Sequence, residues 1–453
     1  MQYDDRMNEK RPELARVLGL TDVIGIVVGS VIGSGIFIVP QAIAQQLPSP
    51  ALILAVWLVG GALTFFGALC FAELGGMYPQ AGGTYVYLRE AYGPLVGFLF
   101  GWTLFLVVDC GAMAALAAAF STKYLPYFVA LSPPAARAVT VAFIVFLIAV
   151  NYVGVRHGAN LQNLLTAVKL LAVVAVAGLA FAFADGDAGH FTSPPVEPVS
   201  LGLVGRFGAA LIACLWAYKG WEAASYSTGE LRNPQRNLFL GLLAGCLLVI
   251  AAYIAANLAY LWVFPSAAIA GSDRIAADVL AVAIGPVGTS ILAGLILLSI
   301  LGAANANALT TPRVFYAMAE DGVFFRAATR IHPRYHTPHV AIVAMGVWVV
   351  VLAMSGTFEQ LAAFVVFGQW VFLGLTAAGV LVLRVRRPGV PRPVRVWGFP
   401  FTPLVFVAAS VFIAWSAVVS GFWNAMAGLG LILLGIPVYA VWRRRAAAPA
   451  RTA

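Results

Sequence analysis

The chain has 453 residues, of which 62% are hydrophobic and only 10% charged, and its mean hydropathy is +0.92. Soluble domains carry roughly 45–50% apolar and about 25% charged residues, and no compact water-soluble fold hides so large an apolar excess. A secreted enzyme, a nucleic-acid binder and a disordered scaffold are therefore poor readings, and the net charge of +9 has to be read against a lipid bilayer.

Residues 1–16 mix acids and bases and lack a short apolar core ending in small residues, so they read as a retained N-terminal segment rather than a signal peptide. A membrane-crossing helix needs about 20 mostly apolar residues. Twelve such stretches follow: 17–46, 50–76, 93–120, 136–153, 161–184, 203–229, 237–264, 279–310, 338–355, 359–383, 400–421 and 424–442. The first, sixth and eighth exceed a straight crossing, which signals tilt or interruption. With the N-terminus placed in the cytoplasm, 21 of the 27 basic residues fall in cytoplasmic segments. Four fall outside (Lys123, Arg137, Arg206, Arg274) and two within spans (Lys169, Lys219). That bias predicts an even number of spans in a cell inner (plasma) membrane, with both termini cytoplasmic and 443–453 as the C-terminal tail.

The four cysteines (Cys70, Cys110, Cys214, Cys246) all sit in apolar runs without a CxxC pair. This argues against a disulfide framework and a structural zinc site. His332, His336 and His339 have i, i+4 spacing in part, but Pro333 and Pro338 interrupt any helix there, and a solvated loop is the simpler reading. No phosphate-binding Gly-x-x-x-x-Gly-Lys-Ser/Thr loop, Gly-x-Ser-x-Gly nucleophile or HExxH pair is present. Neither ATP hydrolysis nor intramembrane catalysis is expected, nor any metal or cofactor.

Two spans carry breaks. The first contains Gly33-Ser34-Gly35, and the sixth contains Trp216-Ala217-Tyr218-Lys219-Gly220-Trp221 followed by Glu222. Glycine weakens a helix by about 1 kcal/mol relative to alanine, and unwound backbone at membrane depth persists only where protein buries it or a polar cavity receives it. Free N–H groups at one half-helix end suit a carboxylate, and free carbonyls at the other suit an ammonium. Gly25, Gly29 and Gly33 also form a stripe for close helix packing, which accounts for the first two better than for Gly35. Interruptions in corresponding members of two five-helix halves point to an inverted-repeat transporter.

The stretches GIVVGSVIGSGIFIVP, WAYKGWEAASYSTGELRNPQRNL and PRVFYAMAEDGVF…HPRYHTPHVA resemble the amino acid–polyamine–organocation transporters, and within them bacterial relatives of the L-type amino acid transporters. The resemblance implies an all-α integral membrane fold of twelve helices. Its five-plus-five inverted repeat would place helices 1–5 in 17–184 and helices 6–10 in 203–383, with helices 1 and 6 discontinuous and two further helices in 400–442. It also implies that Gly33, Ser34 and Gly35 hold a substrate carboxylate next to Ile36, and that the carbonyls of Val31, Trp216 and Lys219 receive the α-ammonium. Ala217 and Gly220 complete that segment, and Trp216 would close over the substrate as a gate. Mammalian L-type relatives join a single-pass glycoprotein through a cysteine in the loop after the third span. Here Ser121–Arg137 has none, so no disulfide-linked heavy chain is expected.

Four ionisable residues lie within spans, where each needs a partner or a task. By the resemblance, Lys169 stands where sodium sits in sodium-coupled relatives. It would donate to carbonyls of the first span and to Asn305 or Asn307 of the eighth, or carry a coupled proton; a lysine snorkelling to the interface is the plainer alternative. Lys219, Glu222 and Asp109 form either a buried salt-bridge network or a selectivity filter that repels cationic side chains. Glu73 and Glu230 read as braces for loop arginines such as Arg232 and Arg313. Together these features predict a sodium-independent secondary transporter, exchanging or proton-coupled, for neutral or anionic amino acids. A polyamine transporter of the same fold and a non-transporting amino acid sensor are the alternatives; a sensor would need an output domain, and about ten residues follow the last span.

Overall fold

The computed structural model describes residues 14–33, 35–192, 194, 196–355 and 358–447. Residues 1–13 of the expected N-terminal segment, Ser34, and 448–453 of the expected tail lie outside the described residues. Among the described residues the only β-pairing is a lone parallel bridge between Leu18 and Leu231, and everything else regular is helix.

The first span is α1 (Leu20–Val31) and α2 (Gly35–Gln46), bent by 46° at the break. It is followed by α3 (Pro50–Met77) and the short α4 (Thr84–Tyr92). The third span joins α5 (Pro94–Thr103) to α6 (Asp109–Ala119), with π-helical turns at Leu104–Val108 and Phe120–Tyr124 on either side of α6. Next come α7 (Pro133–Tyr152) and α8 (Val155–Phe183). The sixth span is α9 (Leu201–Ala217), a turn, and tighter 3-10 turns over Trp221–Glu230, kinked at Ser227. Then follow α10 (Pro234–Val263), α11 (Ser266–Gly271), α12 (Ile275–Ile284), α13 (Val287–Thr310), α14 (Pro312–Glu320) and α15 (His339–Ser355). The chain closes with α16 (Phe358–Arg386), α17 (Phe401–Ser420), α18 (Phe422–Leu433) and α19 (Gly435–Ala447).

Local signals set these boundaries. Proline occupies the first turn of α3, α5, α7, α10 and α14, where its missing N–H costs nothing. Ser132 and Ser200 cap α7 and α9, accepting from Ala135 N–H (3.4 Å) and Leu203 N–H (3.1 Å).

Ten helices among the described residues are long and apolar enough to cross a membrane, or eleven when α1 and α2 count as one span. The expected ninth span, 338–355, is the 17-residue α15, whose length of about 25 Å falls short of a ~30 Å hydrocarbon core. The long eighth stretch divides in two, because Gly285 in a left-handed conformation (φ +77°) and Pro286 end α12 before α13 begins. The sixth is long because it is interrupted.

The buried centre of the fold is α1, which packs on α8, α10, α13 and the 3-10 turns of the sixth span. One face of α8 is polar and reads along α1. Arg156 and Asn163 bind Asp22 (2.7 and 2.6 Å), Gln162 and Thr166 donate to the Gly25 carbonyl (3.4 and 2.8 Å), and Lys169 donates to that of Gly29 (2.7 Å). The three-to-four-residue spacing keeps these side chains on one stripe. Gly25 and Gly29 of α1 let that stripe approach the backbone closely.

Candidate substrate site

The break in the first span leaves carbonyls that no helical N–H can reach, since α1 ends at Val31. Ile32 N–H still closes on the Val28 carbonyl (2.8 Å). Side chains take three more. Lys169 of α8 donates to Gly29, the Tyr253 hydroxyl of α10 lies 3.0 Å from the Val31 oxygen, and Ser299 of α13 donates to Ile32 (3.2 Å). Unwound backbone is thus held from three directions, as burial away from water requires.

The sixth span breaks by a different device. Tyr218 leaves the helix after its N–H bonds the Cys214 carbonyl (3.2 Å), and Gly220 takes a left-handed conformation (φ +114°) that L side chains avoid. A side chain at Gly220 would also stand 3.1 Å from the Ser30 carbonyl. Gly35 is the counterpart at the start of α2, where a Cβ would meet Ala217 at 3.0 Å. The two breaks therefore face each other at backbone distance. Tyr253 joins them, because its hydroxyl is also 3.0 Å from the Ala217 carbonyl; its single proton serves one oxygen at a time. Behind it Trp57 packs edge-on against Tyr218 and Tyr253, which are tilted against each other, with centroids 5.0–5.8 Å apart, worth about 0.5–1.5 kcal/mol per pair beyond area burial.

A cavity of about 480 Å³ opens onto both breaks. Val31, Gly33, Gly35, Trp216, Ala217, Lys219 and Gly220 line it, as do Asp109, Glu222 and Asn307. Trp216 is 46% exposed and leaves the cavity open toward Thr122, Lys123 and Tyr124. The opposite end is sealed. Arg313 and Glu230, both fully buried, form a two-pronged pair (2.7 and 2.9 Å). Glu230 and Arg232 bond Leu18 through backbone (3.0 and 2.8 Å), and Arg89 and Tyr85 converge on Asp321 (2.5 and 2.6 Å). Glu73 holds Arg384 and the Val396 N–H (2.6 and 2.7 Å). The cavity is therefore open at one end and closed at the other.

A family model described as amino acid permease matches residues 18–437. The chain belongs to the amino acid permease family. It is 34% identical to the human b(0,+)-type amino acid transporter 1 over 95% of this chain and 88% of that protein. It is 30% identical to the serine/threonine exchanger SteT of Bacillus subtilis over 96% and 98% of the two chains. To the human large neutral amino acids transporter small subunit 2 it is 33% identical, over 94% and 80%. This permease is accordingly a multi-pass membrane transporter of amino acids and not an enzyme.

Not every candidate residue reaches the permease's cavity. Ser34 lies outside the described residues. Ile36 is fully buried and turned away from the cavity lining. Lys169 sits behind the first-span break, 3% exposed, on the Gly29 carbonyl. Asn305 is committed elsewhere, its amide donating to Gln162 (2.9 Å) and the Gly158 carbonyl (3.1 Å) while its oxygen accepts from Asn151 (3.0 Å). Lys219 and Glu222 are three residues apart but do not pair, because the turn through Gly220 separates them and only Trp221 onward is helical. Glu222 instead accepts from the Gln369 amide and the Gly220 N–H (3.1 Å), and Asp109 accepts from Thr311 (2.7 Å). Arg232 contributes backbone rather than an ion pair to the Glu230 brace.

Tyr253, Ser299, Thr311 and Gln369 were not singled out from sequence. Gln369 carried a usable signal, an amide inside the apolar run VVFGQWVFLG. A tyrosine or serine in such a run carries none.

Proposed function

We propose that this permease is a sodium-independent amino acid exchanger working by alternating access between the state seen here and one open at the opposite end. The observation that supports it most is that both broken helices present their free backbone groups to one cavity. The N–H groups that begin α2 would take the α-carboxylate. The carbonyls of Val31, Trp216, Ala217 and Lys219 keep acceptor capacity for the α-ammonium, and Trp216 would swing over the bound zwitterion. Lys169 would do the work of a bound cation at the first-span break, with Asn307 nearer the substrate than Asn305. The inverted-repeat halves 17–184 and 203–383 would rock about this point, in a plasma membrane with both termini cytoplasmic.

The name of the Bacillus relative favours exchange over proton symport. A polyamine is a poorer fit, since it lacks the carboxylate that the α2 N–H groups suit and would meet Lys219. All four cysteines are buried, so a covalently attached heavy chain has no thiol to join, and the chain would work alone.

Purified protein in liposomes tests this. Uptake of labelled amino acid should require unlabelled amino acid inside, persist without sodium and ignore an inward proton gradient. Uptake into empty liposomes driven by that gradient would establish proton coupling instead, and binding without uptake would establish a sensor.

A further inference from the structure

Beyond the groups that would hold a substrate's backbone, four charged side chains line the cavity, Asp109, Lys123, Lys219 and Glu222, and Lys123 stands over the Tyr124 ring at the open end. Glu222 has both oxygens occupied, by the Gln369 amide and by Gly220 N–H, and Asp109 accepts from Thr311. The Lys219 N–H bonds the Trp216 carbonyl (3.4 Å), but its ammonium makes no hydrogen bond or ion pair among the described residues. The two carboxylates act on its charge across the space rather than in contact. Asn307 adds an amide to the same wall. Each carboxylate retains spare lone pairs, because two oxygens offer about four acceptor sites.

Each class of side chain fares differently here. An ammonium or guanidinium can reach a carboxylate but brings a further cation beside Lys219 and Lys123. A carboxylate satisfies Lys219 but brings a third negative charge beside Asp109 and Glu222. A branched alkyl chain strips water from Asp109, Lys219 and Glu222 and returns nothing, which is the costly case for buried polar atoms. A carboxamide or hydroxyl accepts from Lys219 and donates to a carboxylate, and adds no charge.

We propose that the side-chain subsite selects neutral amino acids that both donate and accept hydrogen bonds, the carboxamide and hydroxyl classes, with Lys219 as the specificity-determining residue. This rests on the exchanger reading above and narrows its substrate class. Discrimination of this kind comes from groups left unpaired by the wrong ligand, and a missing hydrogen bond separates ligands more sharply than a missing methylene.

The experiment is competition in proteoliposomes, using whichever amino acid exchanges fastest as the labelled substrate. Glutamine, asparagine and serine should compete at concentrations at least about tenfold below those needed for leucine, arginine or glutamate. Lys219→Met keeps an unbranched stem and removes the donor, and it should bring leucine to within about threefold of glutamine. Lys219→Gln, which keeps a donor without the charge, should retain the preference for glutamine over leucine while admitting more arginine. Leucine, arginine or glutamate matching glutamine in the wild type would overturn the proposal, as would an unchanged order in Lys219→Met. Either result leaves exchange itself intact. Absence of exchange with every amino acid would instead remove the functional reading on which the proposal rests.

Discussion

Replacing Lys169 with methionine isolates the interaction on which the first-span break depends most. Lys169 is 3% exposed and its ammonium lies 2.7 Å from the Gly29 carbonyl, which has no helical donor because α1 stops two residues later. Methionine keeps the length and the apolar stem and deletes the donor. A hydrogen bond from a charged group contributes about 1.5–3 kcal/mol, and each 1.4 kcal/mol is a factor of ten. The arrangement of the break competent to bind substrate should therefore become about ten- to a hundredfold less populated, and the apparent KM for exchange should rise by that factor. Stability in detergent need not fall in parallel, since removing the ammonium also removes the cost of burying it. A thermal melt beside the exchange assay separates the two effects. Apparent KM within about twofold of wild type, or wild-type uptake that requires sodium, would refute the role assigned to Lys169.

Two further substitutions probe the facing breaks. Tyr253→Phe deletes one neutral hydrogen bond shared between the Val31 and Ala217 carbonyls; a loss of about 1 kcal/mol predicts a rise in KM of about fivefold with near-normal thermal stability. Gly220→Ala places a methyl group on a left-handed backbone against Ser30, which should lower stability by about 1–3 kcal/mol and be read directly as a lower melting temperature in detergent. Glu230→Gln leaves Arg313 buried without its counter-charge. Removal of one partner of a buried pair costs about 3–5 kcal/mol, so this variant should loosen the sealed end and raise protease or alkylating-reagent access to residues there.

Most of the framework is legible in the sequence because hydropathy, proline and glycine act locally. Runs of apolar residues locate the helices, and Gly33, Gly35 and Gly220 locate both breaks, since backbone that leaves a helix in lipid needs those residues wherever the neighbours stand. What cannot be read is which distant side chain meets the exposed backbone. Tyr253 is 222 residues from Val31 and resembles any other aromatic in an apolar run. A Lys219–Glu222 ion pair within a salt-bridge network would need helical geometry between them, and the helix restarts only at Trp221. Asn305 offers the right chemistry for Lys169 but points to the α7 and α8 amides instead, a matter of helix rotation that spacing alone leaves open. The π-helical turns around α6 likewise leave no mark in composition, although the one at Leu104–Val108 adds a residue to its turn and so resets which face of the third span carries Asp109.

The most direct measurement is a map of the substrate-bound protein. The account predicts the α-carboxylate at the first N–H groups of α2 beside Gly35, the α-ammonium between the carbonyls of Val31 and Ala217, and Trp216 moved over the ligand. Density for the amino acid away from both breaks, or a bound state with its carboxylate turned toward Asp109 and Glu222, would contradict it.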